Sequence, residues 1–196
     1  MVRSFGTKTL AVILSVVMLM TACSTNWVTQ AEQVIAIALP IATNILTIAS
    51  AFSGKSVDPT QVAKVKSVTD QITNDLNTAE VLLQNYNSAN AQTTVQKVNA
   101  ALADVKDNLQ VILTGLDIKD QDLKNRITAI AGLVLSSVQT IENVLPAVAG
   151  GTVSASAKAN AAKMTPEVLK ARYNALAKTP TGNPDLDQVS ASTVLK

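Results

Sequence analysis

The chain contains no histidine and a single cysteine, Cys23. Serine–histidine and cysteine–histidine nucleophilic catalysis need an imidazole, and zinc sites are built on imidazole or thiolate. Both chemistries are therefore closed to this protein outside Cys23. Carboxylates and lysines remain, but the acidic residues fall at helix starts or on polar faces. None is paired in an apolar setting where its pKa could be tuned. The sequence thus predicts no catalysis, no cofactor and no metal. Aromatics are scarce too: Phe5, Trp27, Phe52, Tyr86 and Tyr173 are the whole set. Seven glycines and six prolines fall mainly between long periodic runs, which points to helices.

What is present begins with an ordered set of amino-terminal signals. Arg3 and Lys8 form a cationic start, and an apolar run follows from Leu10 to Met20. It closes on Met20-Thr21-Ala22-Cys23, where an export signal places its small-residue cleavage site. Leu10–Ala22 is too short to span a bilayer, which takes roughly 20 apolar residues. An ordinary secretory signal would leave Cys23 as an odd free thiol in an oxidising compartment. The segment resembles the lipobox of bacterial lipoproteins, with Met20 where that family usually has leucine. The resemblance implies cleavage before Cys23 and acylation of that residue. It also implies anchoring to membrane lipid, since two or three acyl chains are enough for stable attachment. Residues 1–22 are then a removed signal and 23–26 a lipidated tether. Ser24 after the cysteine carries no inner-membrane retention signal of the kind aspartate gives in this family. The resemblance therefore leans toward the outer membrane, facing the periplasm. It covers Met1–Cys23 alone and implies nothing about the task of the rest.

Removing the signal takes Arg3 and Lys8 with it, leaving 14 basic residues against 14 acidic ones. The mature chain is formally neutral and its cations are scattered, so no basic patch remains for nucleic acid.

The mature chain, Cys23–Lys196, is long enough for one domain with a core. Asn26 is a plausible N-cap for a first helix from Trp27 to about Ser53. Trp27, Ala31, Val34, Ala38, Ile41, Ile45, Ile48 and Phe52 alternate steps of four and three, making one helical stripe. Ile35, Leu39, Ala42, Leu46 and Ala49 lie beside it. No charged residue occurs between Glu32 and Lys55. A helix so apolar is either the centre of a bundle or membrane-embedded; Thr43, Asn44, Thr47, Ser50 and Ser53 favour the bundle. Pro40 removes one backbone hydrogen bond and predicts a slight kink. Gly54-Lys55-Ser56 is not a phosphate loop, because Ala49 stands where that motif needs glycine. Gly54 reads as a C-cap.

Asp58-Pro59-Thr60-Gln61 is a helix start, with Asp58 as cap, Pro59 first and Gln61 third. A second helix to about Asn85 carries Val62, Val65, Thr69, Ile72, Leu76, Ala79, Leu83 and Tyr86 at heptad spacing. Asn87–Asn90 breaks the pattern. A third helix to about Thr114 follows on Val95, Val98, Leu102, Val105, Leu109, Ile112 and Leu116. The short connection predicts an antiparallel pair. Gly115 ends that helix, and Asp117, Asp120 and Asp122 lie in the turn beyond. A calcium loop beginning at Asp120 would need glycine at Asn125, so these acids read as helix-starting residues facing the dipole. The fourth helix, from about Gln121 to Ala149, carries Leu123, Ile127, Ile130, Val134, Ile141, Val144 and Val148. Glu142, its midstream acid, reads as solvated rather than functional.

Gly150-Gly151 closes the bundle, and 150–163 reads as a flexible linker. A short amphipathic helix over 164–178 is marginal alone, so it docks on the bundle or waits for a partner. Residues 179–196, with Pro180, Gly182 and Pro184, are expected to be irregular. The fold class is all-α: an antiparallel four-helix bundle over 27–149 with a short extra C-terminal helix. Two function classes follow. One is a tethered structural or interaction module for other envelope proteins. The other is lipid or membrane engagement through the apolar first and fourth helices.

Overall fold

A computed structural model describes residues 26–146 and 164–196. The signal, Cys23 and the linker 150–163 lie outside the described residues. Six helices lie among the described residues: α1 (Asn26–Ala51), α2 (Pro59–Gln84), α3 (Ala91–Gly115), α4 (Gln121–Val144), α5 (Pro166–Lys178) and α6 (Pro184–Ser192). The four long helices pack as a bundle, α1 on α2, α2 on α3, α3 on α4 and α4 back on α1. Helix α5 lies over the seam of α1 and α4, and α6 lies on α5 and α1.

Heptad spacing explains the core. Every predicted position of α3, from Val95 through Ile112, is buried, as is Leu116 just beyond it. In α2 the stripe from Val65 to Leu83 is buried, and Val62 and Tyr86 are half-buried at its ends. Both predicted stripes of α1 turn inward, and Ile35, Ile41, Ile45 and Ile48 are sealed from solvent. Four helices pack against α1, which is why its long uncharged stretch suits a buried position. Its exposed residues are all small or polar: Thr29, Gln33, Ala36, Thr43, Thr47, Ser50 and Ala51. The helix continues through Pro40.

Antiparallel pairing shows at named contacts. The rings of Trp27 and Tyr86 meet edge to face, 4.9 Å apart, at the first turn of α1 and just past the end of α2. Lys64, early in α2, donates to the Gly115 carbonyl at the end of α3 (3.0 Å). Asn108 donates to Asp75 midway along the same pair (3.3 Å). Helix α4 is staggered: Lys106, in the middle of α3, pairs with Glu142 near the end of α4 (2.7 Å). The last turn of α4 thus lies beside the middle of α3. Among the described residues, the Trp27 end of the bundle is built by α1, α2 and α3.

The helix ends depart from expectation in instructive ways. Asn26 opens α1 as its first residue instead of capping it. Asp58 caps α2 as predicted, accepting from the Thr60 amide (2.7 Å) and hydroxyl (2.6 Å). Gln61 does not complete a capping box, and its side-chain oxygen is buried without a partner. Helix α4 stops at Val144, short of the expected Ala149. Leu145 precedes Pro146 and is extended (φ −58°, ψ 138°), as crowding by the proline ring demands. Residues 147–149 lie outside the described residues.

The largest correction concerns residues 179–196, which are helical over Pro184–Ser192. Asn183 caps this helix, its side chain accepting from Leu186 N (3.2 Å), and Pro184 takes the first position. Leu186 and Ser190 are completely buried. Pro184, one of the residues from which an irregular tail is expected, is in fact a helix starter.

Candidate functional surfaces

Three places bring polar groups together. The first is the end of the bundle distant from Trp27. Gly54 adopts a left-handed conformation (φ 73°) in the turn after α1, and the Phe52 carbonyl accepts from the amides of Lys55, Ser56 and Val57 (3.1 Å each). This folds the turn back on itself with no glycine-rich cradle before it. Beside it, Asp58, Thr60, Asp117 and Lys119 line a hollow of about 420 Å³. The Thr60 hydroxyl, then its amide, hold the Asp58 carboxyl below its usual range. That carboxylate is engaged as a cap.

Asp120 also works as a cap, its Oδ1 accepting from the Leu123 amide (3.0 Å). Its other oxygen accepts from Asn183 (3.3 Å), which ties the start of α4 to the start of α6. Asp122 occupies the first turn of α4, where the helix dipole favours it. The acids of this turn are structural groups. Glu142, read as solvated, is half-buried and paired with Lys106.

The second place is a groove of about 430 Å³ between α2 and α3, lined by Gln71, Asn74, Asp75, Asp104, Asp107 and Asn108. Loss of water raises the pKa of Asp75, the Asp104 charge raises it further, and the Asn108 amide opposes both. Among the described residues, no three of His, Cys, Asp and Glu converge as metal ligands do.

The third place is the dock of α5 and α6. Leu169, Tyr173 and Ala177 turn one edge of α5 into the bundle. Burial raises the Tyr173 pKa, against opposing hydrogen bonds from Thr193 and Asn44. The Asn44 amide donates to the Tyr173 hydroxyl (2.7 Å) and to the Thr193 carbonyl (3.2 Å). The Tyr173 hydroxyl donates to Thr193 Oγ1 (2.7 Å). Nearby, Arg126 is 3% exposed on α4. It donates to the Thr179 carbonyl and lies 3.9 Å from Asp187, while its Nη1 is buried without a partner. Asp187 accepts from the amide and hydroxyl of Thr181 (2.8 Å each), which with Arg126 hold its pKa down.

Leu169 and Tyr173 lie on the apolar edge that the sequence offers for docking, whereas the parts of Asn44, Arg126 and Thr193 were missed in it. A signal for one existed: Arg126 follows Leu123 by three and precedes Ile130 by four, on the apolar stripe itself. Cys23, the one residue singled out as a site, lies outside the described residues. The clusters described here cap, pair and dock helices rather than assemble a nucleophile with a base. The chain matches no family model, no curated protein and no solved structure, so the residues themselves carry the functional reading.

Proposed function

We infer that the protein is a membrane-anchored helical-bundle lipoprotein of the bacterial cell envelope. It acts as a non-enzymatic structural or interaction module for other envelope proteins. Acylated Cys23 supplies the anchor, and the outer membrane, facing the periplasm, is the favoured location. The observation that carries the module reading is the closed core. Among the described residues, Val81, at 55% exposure, is the single large hydrophobic residue left open. A protein that spreads apolar helices into lipid needs that surface loosely covered; here α5 and α6 cover the α1–α4 seam with buried side chains and hydrogen bonds.

A second reading, direct membrane engagement, has one observation in its favour. Helices α1 and α4 are long and apolar enough to cross a membrane by length and composition, although 44% of the most apolar stretch of each is buried inside the fold. Extraction with carbonate and detergent separates the two. The complete chain is compared with a version in which a cleavable, non-lipid export signal replaces Met1–Cys23. A soluble, monomeric lipid-free product supports the module; persistent membrane binding supports direct engagement. Retention of processed Cys23→Ser protein in the membrane would overturn the lipid anchor.

A further inference from the structure

We propose that the Trp27–Tyr86 end of the bundle rests on the headgroups of the bilayer that holds Cys23, with α1, α2 and α3 standing off the membrane. The inference rests on the lipid-anchor reading and adds an orientation to it. Three peptide units join Cys23 to Asn26, where α1 begins. Fully extended they reach about 11 Å, too little for the bundle to turn over or drift clear of the surface. One end of α1 is therefore held at the headgroups.

That end has the right chemistry for the place. Of the four aromatic residues after the signal, two sit there in contact, Trp27 and Tyr86, both half-buried. Their rings pair an apolar body with a polar edge, the combination enriched at membrane interfaces. Among the described residues, the two chain segments that form this end are also free of charge. No Asp, Glu, Lys or Arg occurs from Cys23 to Ala31 or from Val81 to Gln96, a stretch that includes the α2–α3 turn. The amide side chains of that turn are already engaged: Asn90 accepts from Asn87 N (2.8 Å), and Asn87 accepts from Ala89 N (3.0 Å). Approach to the interface thus strips water from no ion. The opposite end is different in kind, with Lys55, Asp58, Asp117, Lys119 and Asp120 in its two turns. A bundle seated this way lifts those charged turns farthest from the membrane, where soluble partners can reach them.

Trp27 is the chain's one tryptophan, so its fluorescence reports this end alone. The complete lipidated protein is reconstituted into phosphatidylcholine vesicles, plain or carrying bromines near the ester carbonyls or near the chain ends. With bromines near the carbonyls, Trp27 emission is expected to fall by roughly half, as suits an interfacial ring, and to fall less with bromines near the chain ends. In a Trp27→Phe background, tryptophan introduced by Lys55→Trp at the far end or by Thr43→Trp on the flank of α1 is expected to keep its emission. Protein that floats with vesicles while Trp27 is unquenched overturns the seating and leaves the anchor standing. Equal quenching of the Thr43→Trp probe means that the bundle lies flat, and also overturns it. Protein that fails to float overturns the anchor and the seating together.

Discussion

Two carboxylates respond to their surroundings with opposite signs, and that difference is open to measurement. Asp187 takes hydrogen bonds from Thr181 and sits near Arg126, so its pKa is lowered on folding. Its contribution is complete above the unfolded value, about 3.9, and disappears as pH falls through the lowered folded value. Asp187→Ala should therefore lower the melting midpoint at pH 7 and converge with the parent in strong acid. Asp75 is raised by loss of water and by Asp104, so its ionised form works against folding. Asp75→Asn should raise the midpoint at pH 7, with the advantage shrinking as pH falls through the raised folded pKa. A lower midpoint at pH 7 would contradict the assigned environment. Arg126 is a different case, a nearly buried cation whose best partner is the Thr179 carbonyl. Arg126→Ala should cost about 1.5–3 kcal/mol in urea denaturation, the range for a hydrogen bond to a charged group.

At the scale of elements, burial depth decides what a change does. Ile41 and Ile130 are sealed in the core on α1 and α4, so Ile41→Asp or Ile130→Asp should abolish cooperative melting by burying an unpaired charge. Tyr173→Phe is milder. It removes one hydroxyl from the Asn44–Tyr173–Thr193 network and should cost about 1 kcal/mol, with faster amide exchange concentrated in α5 and α6. These contrasts also explain what was legible in the sequence. In α2 and α3 a narrow apolar stripe repeats at heptad spacing, and both the helices and their buried residues could be read directly. In α6 the helix is nine residues long, below the length at which periodicity separates helix from loop. Its evidence lay in Asn183-Pro184, a cap and a first-turn proline that also serve as turn residues. The dock was hidden for another reason: Asn44, Arg126, Tyr173 and Thr193 are far apart in the chain, and only the packed helices bring them together.

For the whole molecule, the question is why a chain with two helices apolar enough for a membrane closes into a bundle. The answer is in the C-terminal layer. Helix α5 presents Leu169, Tyr173 and Ala177 inward and leaves Glu167, Arg172 and Lys178 exposed, so it exchanges an uncharged seam for a charged outer face. Helix α6 adds Leu186 to the core and keeps Asp185 and Gln188 in water. Without these helices, Asn44 on α1 loses its Tyr173 and Thr193 partners and Arg126 loses its carbonyl, while apolar side chains beneath them are opened to solvent. A protein ending after Lys163 should therefore expose a contiguous apolar patch, the kind that drives association with itself or with lipid. The expected outcome, in the lipid-free form, is self-association by sedimentation and binding to phosphatidylcholine vesicles, where the complete lipid-free protein does neither. Readdition of 164–196 as a separate peptide should not restore the monomer efficiently, because a helix as short as α5 is marginal in isolation and must be ordered as it binds. If the truncated protein stays monomeric and ignores vesicles, the four long helices close their core unaided, and the C-terminal layer serves another purpose than covering it.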